Sequence, residues 1–165
     1  MTTSETLPTV PVRLDFEHHA PDFYRAVVHL DHTATKQLDK AQFDPRLREL
    51  VRIRASQING CAYCIDMHTK DLRADGETEQ RLYLLSVHRE APCYSDRERA
   101  ALAWTEALTV LGEHGVPDAL FDEVRHHFQD AELAELTLAV ATINAWNRMN
   151  IAMRTPAGGY TPKPR

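Results

Sequence analysis

The stretch "DPRLRELVRIRASQINGCAYCIDMHTKDLR", residues 44–73, predicts two consecutive α-helices joined at a glycine. The aspartate and proline at its start suit an N-cap and the first position of a helix. Apolar side chains then recur at spacings of three and four residues and form one core-facing stripe: Leu47, Leu50, Val51, Ala55 and Ile58. Gly60 should end this helix and let the chain turn. A second helix is expected from about Cys61 to Arg73.

Helical periodicity continues through the rest of the chain. Ser95 and Glu98 stand three residues apart before an apolar run, which is the signature of a capping box. No alternating run of β-branched residues competes with this pattern. Further helices are expected at residues 78–90, 95–115, 117–130 and 131–154. The last of these segments is the most apolar and should be buried on several sides.

These patterns predict an all-α protein of about seven helices in one domain. The helical domain should span residues 16–154. An N-terminal arm, residues 1–15, and a C-terminal tail, residues 155–165, are rich in proline or glycine and should be irregular. Each could lie free or rest against a neighbouring subunit.

Composition excludes several classes of function. The chain has 165 residues and a net charge of −5, so it lacks the concentrated basic face that a nucleic acid partner requires. No apolar run reaches the roughly 18 residues of a membrane-spanning helix, and the N-terminus has no secretory pattern. A cytoplasmic location is therefore expected. In that compartment a close cysteine pair is more often catalytic or metal-binding than structural.

The pair Cys61 and Cys64 lies on one helix face with His68, because residues three and four apart are neighbours on a helix. Cys61 directly follows the turn at Gly60, where the unpaired N–H groups and the helix dipole favour a thiolate. His68 could exchange a proton with Cys64. The turn could also fold Glu49 of the preceding helix against His68, where a carboxylate would orient the imidazole.

Two other interpretations of the pair stay open from the residues themselves. Zinc would need a fourth ligand, and Cys93 is isolated from any second ligand pair. Both cysteines could also be incidental core residues. In the last helix, Asn144 and Asn147 flank a tryptophan, and buried amides need partners. They could brace the backbone near the site or pack at an interface.

Glu49, eleven intervening residues and then "CAYCIDMH" resemble the core of the AhpD-like alkylhydroperoxidases, within the carboxymuconolactone decarboxylase family. The segments "RERAALAWTEALTVL" and "LTLAVATINAWNRMNIA" resemble the helices that follow in that family. The resemblance covers roughly residues 40–153. It implies an all-α fold that assembles as trimers or hexamers, and a peroxidase that cycles between dithiol and disulfide.

The resemblance also implies site residues. The matching glutamate and histidine form a proton relay to the second cysteine, so Glu49, His68 and Cys64 take those roles, and Cys61 is the more exposed partner. Which sulfur meets the peroxide first stays open. The best-studied branch has a histidine where this chain has Tyr63, and a phenol cannot replace an imidazole in proton transfer at neutral pH.

The sequence therefore predicts a hydroperoxide reductase that uses Cys61 and Cys64, needs an external dithiol electron donor and has no bound cofactor or metal. No nucleotide or flavin motif is present. An alternative from another class is a redox-sensing or binding protein with stoichiometric dithiol chemistry. A second alternative is a lactone decarboxylase, although the family's decarboxylase branch lacks the CxxC motif.

Overall fold

The computed structural model describes residues 10–162, and within that range it contains α-helices but no β-strand. The eight α-helices of the described residues are α1 (Phe16–His19), α2 (Pro21–Lys40), α3 (Pro45–Asn59), α4 (Ala62–Ala74), α5 (Glu79–Leu84), α6 (Asp96–Thr109), α7 (Asp118–Arg125) and α8 (Asp130–Met153). A 3₁₀ turn, Leu85–Val87, follows α5. The prediction of an all-α fold is confirmed.

Three helix boundaries differ from the sequence-based expectation. The helix expected over residues 78–90 stops at Leu84 and tightens into the 3₁₀ turn, which brings His88 Nε2 to 3.0 Å from Glu106 Oε1. The helix expected to reach Gly115 ends at Thr109, because the next residues, Val110 and Leu111, are exposed and find no core to cover.

The third boundary separates α7 from α8. The helix expected over residues 117–130 ends at Arg125, and α8 begins at Asp130. A capping box between Gln129 and Glu132 satisfies the backbone N–H groups at this start. This capping box starts α8 at Asp130, the residue at which the preceding helix was expected to end.

Helix α3 lies at the centre of the molecule and packs against α4, α6 and α8. Its apolar stripe faces two clusters of buried side chains. One cluster joins α3 to α6 and α8 through residues such as Val51, Trp104 and Val140. The other joins α3 to α4 and α5 through residues that include Leu50, Leu72 and Leu82. A central helix with neighbours on several sides can hold polar side chains away from water.

The turn between α3 and α4 fixes the orientation of both helices. Gly60 has a φ of 74°, in the left-handed region that glycine adopts readily. The backbone N–H of Cys61 donates to the carbonyl of Ser56 at 3.0 Å and closes the end of α3. Cys61 then caps the start of α4, as the predicted boundary between the two helices requires.

Both segments outside the helices rest against their own chain where they are described. Arg13 donates from its backbone N–H to the Met153 carbonyl (2.9 Å) and from its guanidinium to the Ala152 carbonyl (3.1 Å). In the tail, the Gly158 N–H donates to Asp66 (2.9 Å), and the Tyr160 hydroxyl donates to Asp71 (2.8 Å). The outer parts of the predicted arm and tail, residues 1–9 and 163–165, lie outside the described residues.

No helix within residues 10–162 is both long enough and apolar enough to cross a membrane.

Candidate active site at the Cys61–Cys64 pair

Cys61 and Cys64 form a disulfide across the first turn of α4, with their Cα atoms 5.4 Å apart. The Cys64 N–H points to Cys61 Sγ at 3.4 Å. Each cysteine is only 1% exposed. The expectation that Cys61 is the more exposed partner is therefore wrong, because the turn at Gly60 folds residue 61 back against the end of α3.

His68 lies one turn beyond Cys64 and contacts Glu49 of α3, as the sequence allowed. His68 Nδ1 is 2.8 Å from Glu49 Oε2, and both side chains are buried. Arg52 Nη1 lies 3.0 Å from the other Glu49 oxygen, and Arg48 Nε lies 3.6 Å from it. Arg52 also binds Thr35 of α2 at 2.8 Å, so the cluster ties three helices together.

Electrostatics favours an ionised Glu49 despite its burial. Burial alone would raise the pKa of this carboxyl, since charge is poorly solvated in the interior. The hydrogen bond and charge of His68, together with the two arginines, outweigh burial and lower the pKa of Glu49 to about 2. An ionised carboxylate can only accept, so His68 Nδ1 donates to it. That leaves Nε2 as the ring nitrogen that can exchange a proton elsewhere.

Asn150 is a site residue that the sequence analysis missed. Its Nδ2 points to Cys64 Sγ at 3.6 Å, from α8 and 86 residues further along the chain. The same amide also donates to the Trp146 carbonyl at 3.0 Å, which holds it in place. One signal was present in the sequence: Asn150 follows Asn147 by three residues and therefore lies on the same side of the helix.

A cavity of about 460 Å³ opens onto Cys64 and His68. Tyr63, the residue that departs from the best-studied branch, also lines it. Its walls come from the N-terminal arm, α1, α2, α4, α8 and the start of the tail. Most of the wall is apolar and includes Val12, Leu14, Phe16, Val28, Met67, Ile143, Trp146, Met149 and Met153. Cys64 therefore faces a cavity that can hold a small molecule, whereas Cys61 is not among the lining residues.

Asn144 and Asn147 join α8 to α3 behind this site. Asn59 Nδ2 donates to Asn144 Oδ1 (2.8 Å) and to Asn147 Oδ1 (2.9 Å). Asn147 Nδ2 in turn donates to Ser56 Oγ at 2.9 Å. These amides therefore hold the end of α3 through side-chain contacts, directly before the turn that carries Cys61.

Cys93 is a free, partly buried thiol in the segment before α6. Within residues 10–162 there is no group of three or more histidine, cysteine, aspartate or glutamate side chains placed to hold a metal ion.

The helical fold, the CxxC pair and the buried Glu49–His68 contact together describe a small α-helical protein with a cysteine pair at its candidate site. Residues 21–107 match the carboxymuconolactone decarboxylase family, and the chain belongs to it. The uncharacterized protein YdfG of Bacillus subtilis (strain 168) is 40% identical over 141 residues, covering 86% of this chain and 93% of YdfG. The uncharacterized protein YnjA of Escherichia coli (strain K12) is 33% identical over 120 residues, covering 73% of this chain and 65% of YnjA.

Solved structures confirm the AhpD-like fold. A candidate AhpD antioxidant defence protein of unknown function from Agrobacterium tumefaciens is 38% identical, with a TM-score of 0.83 over 91% of this chain and 100% of that one. An alkylhydroperoxidase AhpD core protein from Ralstonia eutropha JMP134 has a TM-score of 0.75 at 23% identity, over 87% and 74%. A cysteine-to-alanine variant of the debrominase Bmp8, in complex with 2,3,4-tribromopyrrole, shares the fold at a TM-score of 0.72 and 22% identity, over 86% of this chain and 74% of that one.

Proposed function

We propose that the protein is a thiol-dependent hydroperoxide reductase in which Cys64 attacks the peroxide. One observation carries the proposal: Cys64 lines the cavity, and its disulfide partner Cys61 lies directly behind it. A substrate that enters from the cavity would meet Cys64 first. This assignment answers a question that the sequence left open.

The chemistry requires three steps. In the reduced protein the Cys64 thiolate attacks one peroxide oxygen, the O–O bond breaks, and an alkoxide leaves while Cys64 becomes a sulfenic acid. The Cys61 thiol then attacks the sulfenic sulfur, which forms the disulfide and releases water. An external dithiol finally reduces the disulfide by exchange and becomes oxidised itself.

His68 and Asn150 would assist the first step. His68 Nε2 can take the proton from the Cys64 thiol and return it to the leaving alkoxide, since Nδ1 is committed to Glu49. Asn150 Nδ2 donates toward the sulfur and would stabilise the thiolate. Glu49 is a positioning residue, because it holds the imidazole and compensates its positive charge without reaching the cavity.

A second candidate is a redox sensor that reacts once and is not recycled by a dithiol. The burial of both sulfurs favours it, because an incoming dithiol must reach a sulfur to reduce the disulfide. A recycled enzyme would need the arm or the tail to move aside. Assembly into trimers or hexamers, a cytoplasmic location and the need for an external dithiol donor stay predictions.

Steady-state peroxide consumption separates these functions. The pre-reduced protein would be mixed with excess cumene hydroperoxide and dithiothreitol, with Cys64→Ser as the matched control for the uncatalysed reaction. A peroxidase consumes many equivalents of peroxide per chain and accumulates a Cys61–Cys64 disulfide when the dithiol is withdrawn. Consumption of a single equivalent supports the sensor. No consumption, with both thiols still free, would contradict both and favour the decarboxylase alternative.

A further inference from the structure

We propose that the cavity selects neutral, apolar hydroperoxides and rejects those that carry a carboxylate. This inference rests on the proposed function, since it names the substrate class of the same site. It goes beyond that function by identifying the residues that choose among peroxides. It also separates the protein from any enzyme whose substrate is an organic acid.

The shape and chemistry of the cavity fit an apolar ligand larger than hydrogen peroxide. Its volume of about 460 Å³ lies in the range of small-molecule sites. Three methionines, Met67, Met149 and Met153, provide polarisable and adaptable surface. Trp146 packs edge-to-face against Tyr24 at 5.7 Å between ring centroids and forms a rigid part of the wall. An aromatic or branched alkyl group would replace water there with favourable contacts.

Apart from the His68 imidazole, which is paired with Glu49, the charged groups in the wall are acidic. Asp15, Glu17 and Asp31 line the cavity, and no lysine or arginine among the described residues does so. Asp31 is offset by Arg52 at 3.4 Å. Asp15 instead accepts backbone N–H groups at the start of α1, including that of Glu17 at 2.9 Å.

The nearest arginine of the arm is turned away from this wall. The Arg13 guanidinium donates to the Ala152 carbonyl, and the residue does not line the cavity. A carboxylate ligand would therefore approach Asp15 and Glu17 without a cation to compensate it. Both carboxylates are exposed to solvent, which screens their charge, so their combined repulsion should weaken the binding of a carboxylate about threefold to tenfold.

A matched pair of ligands tests the selection. The hydroperoxides would be para-carboxycumene hydroperoxide and its methyl ester, which differ in charge but share the same reacting group. The corresponding unreactive alcohols would be titrated against the tryptophan fluorescence of the protein. We expect the ester to exceed the acid about threefold to tenfold, both in kcat/KM and in alcohol affinity.

Two double variants locate the effect. Asp15→Asn with Glu17→Gln removes two charges from the wall, and asparagine keeps the ability to cap α1. Asp122→Asn with Glu123→Gln makes the same change of net charge on α7, whose residues do not line the cavity. The first variant should bring the ester-to-acid ratio down toward one, and the second should leave it unchanged.

The two readouts separate failure of this inference from failure of the proposed function. If the alcohols discriminate by charge but neither hydroperoxide is consumed, the peroxidase is wrong and the charge selection stands. If both hydroperoxides are consumed equally and the alcohols bind equally, the charge selection is overturned and the peroxidase stands. An acid that binds more tightly than its ester overturns the selection in either case.

Discussion

The Glu49 carboxylate and the His68 imidazole meet at 2.8 Å inside the contact between α3 and α4, where both side chains are almost fully buried. Two arginines of α3 hold the carboxylate in its ionised form. The ionised Glu49 therefore both stabilises the fold and orients the His68 imidazole at the cavity, so its removal should affect both folding and chemistry.

Glu49→Gln should destabilise the protein at neutral pH and weaken the dependence of its stability on acid. The pKa of Glu49 falls from its ordinary value of 4.5 to about 2 in the folded state, so its ionisation stabilises the fold above pH 4.5. That contribution, about 3 kcal/mol, is lost as the pH falls from 4.5 to about 2. Chemical denaturation between pH 7 and pH 2 would measure it.

Glu106 provides the internal comparison for that experiment, since the pKa of this carboxyl is also lowered to about 2 against burial, by His88 and nearby arginines. Glu49→Gln should therefore keep part of the acid sensitivity, and the double variant with Glu106→Gln should keep less. If the free energy of unfolding of Glu49→Gln falls with acid as steeply as that of the wild type, Glu49 is not an ionised, stabilising group in the folded protein.

His68→Gln should slow peroxide reduction by a factor of about 100 or more while leaving the fold intact. The glutamine amide can still donate to Glu49, but it cannot carry a proton. The rate of disulfide formation by peroxide would be measured across pH in the wild type and the variant. Equal rates at neutral pH would remove His68 from the mechanism.

Asn150 should set how readily the Cys64 thiol ionises. Asn150→Ala removes the donor toward the sulfur, and Asn150→Asp replaces it with a group that repels a thiolate. Alkylation of Cys64 in the reduced protein, followed by peptide mass spectrometry, should therefore shift to higher pH in the alanine variant and further in the aspartate variant. An aspartate profile that coincides with the wild type would show that Asn150 does not act on the sulfur.

Asn147→Leu should cost about 1–3 kcal/mol of stability, because Asn59 and Ser56 each lose one of their hydrogen bonds in the interior. Ser56→Ala is the matched partner for a double-mutant cycle measured by denaturant unfolding. A coupling of about 1 kcal/mol between the two variants is expected. If the two substitutions have additive effects on the free energy of unfolding, the hydrogen bond between Asn147 and Ser56 contributes no coupling energy.

Local signals made much of the fold predictable. The Asp44 cap, the turn at Gly60 and the capping box at Ser95 begin or end helices where the sequence placed them. The break after Leu84 was not predictable in this way, because the contact of His88 with Glu106 is tertiary. The early end of α6 at Thr109 likewise depends on what the following side chains can cover.

The candidate site, too, was predictable from the sequence only in part. Spacing along α4 placed Cys61, Cys64 and His68 on one face, and the turn made the approach of Glu49 possible. Asn150 and the cavity wall were missed, because they come from segments remote in sequence that only the fold brings together. The burial of Cys61 also depends on packing, and spacing alone could not reveal it.

The most direct test of the proposed mechanism is the position of the sulfenic acid in two variants that each lack one cysteine of the pair and keep Cys93. Reduced Cys61→Ser and Cys64→Ser proteins would each receive one equivalent of cumene hydroperoxide in the presence of dimedone, and the adducts would be mapped by mass spectrometry. If Cys64 attacks the peroxide, a rapid adduct forms at Cys64 in Cys61→Ser and none forms at Cys61 in Cys64→Ser. An adduct at Cys61 in Cys64→Ser, with no adduct at Cys64 in Cys61→Ser, would contradict this mechanism.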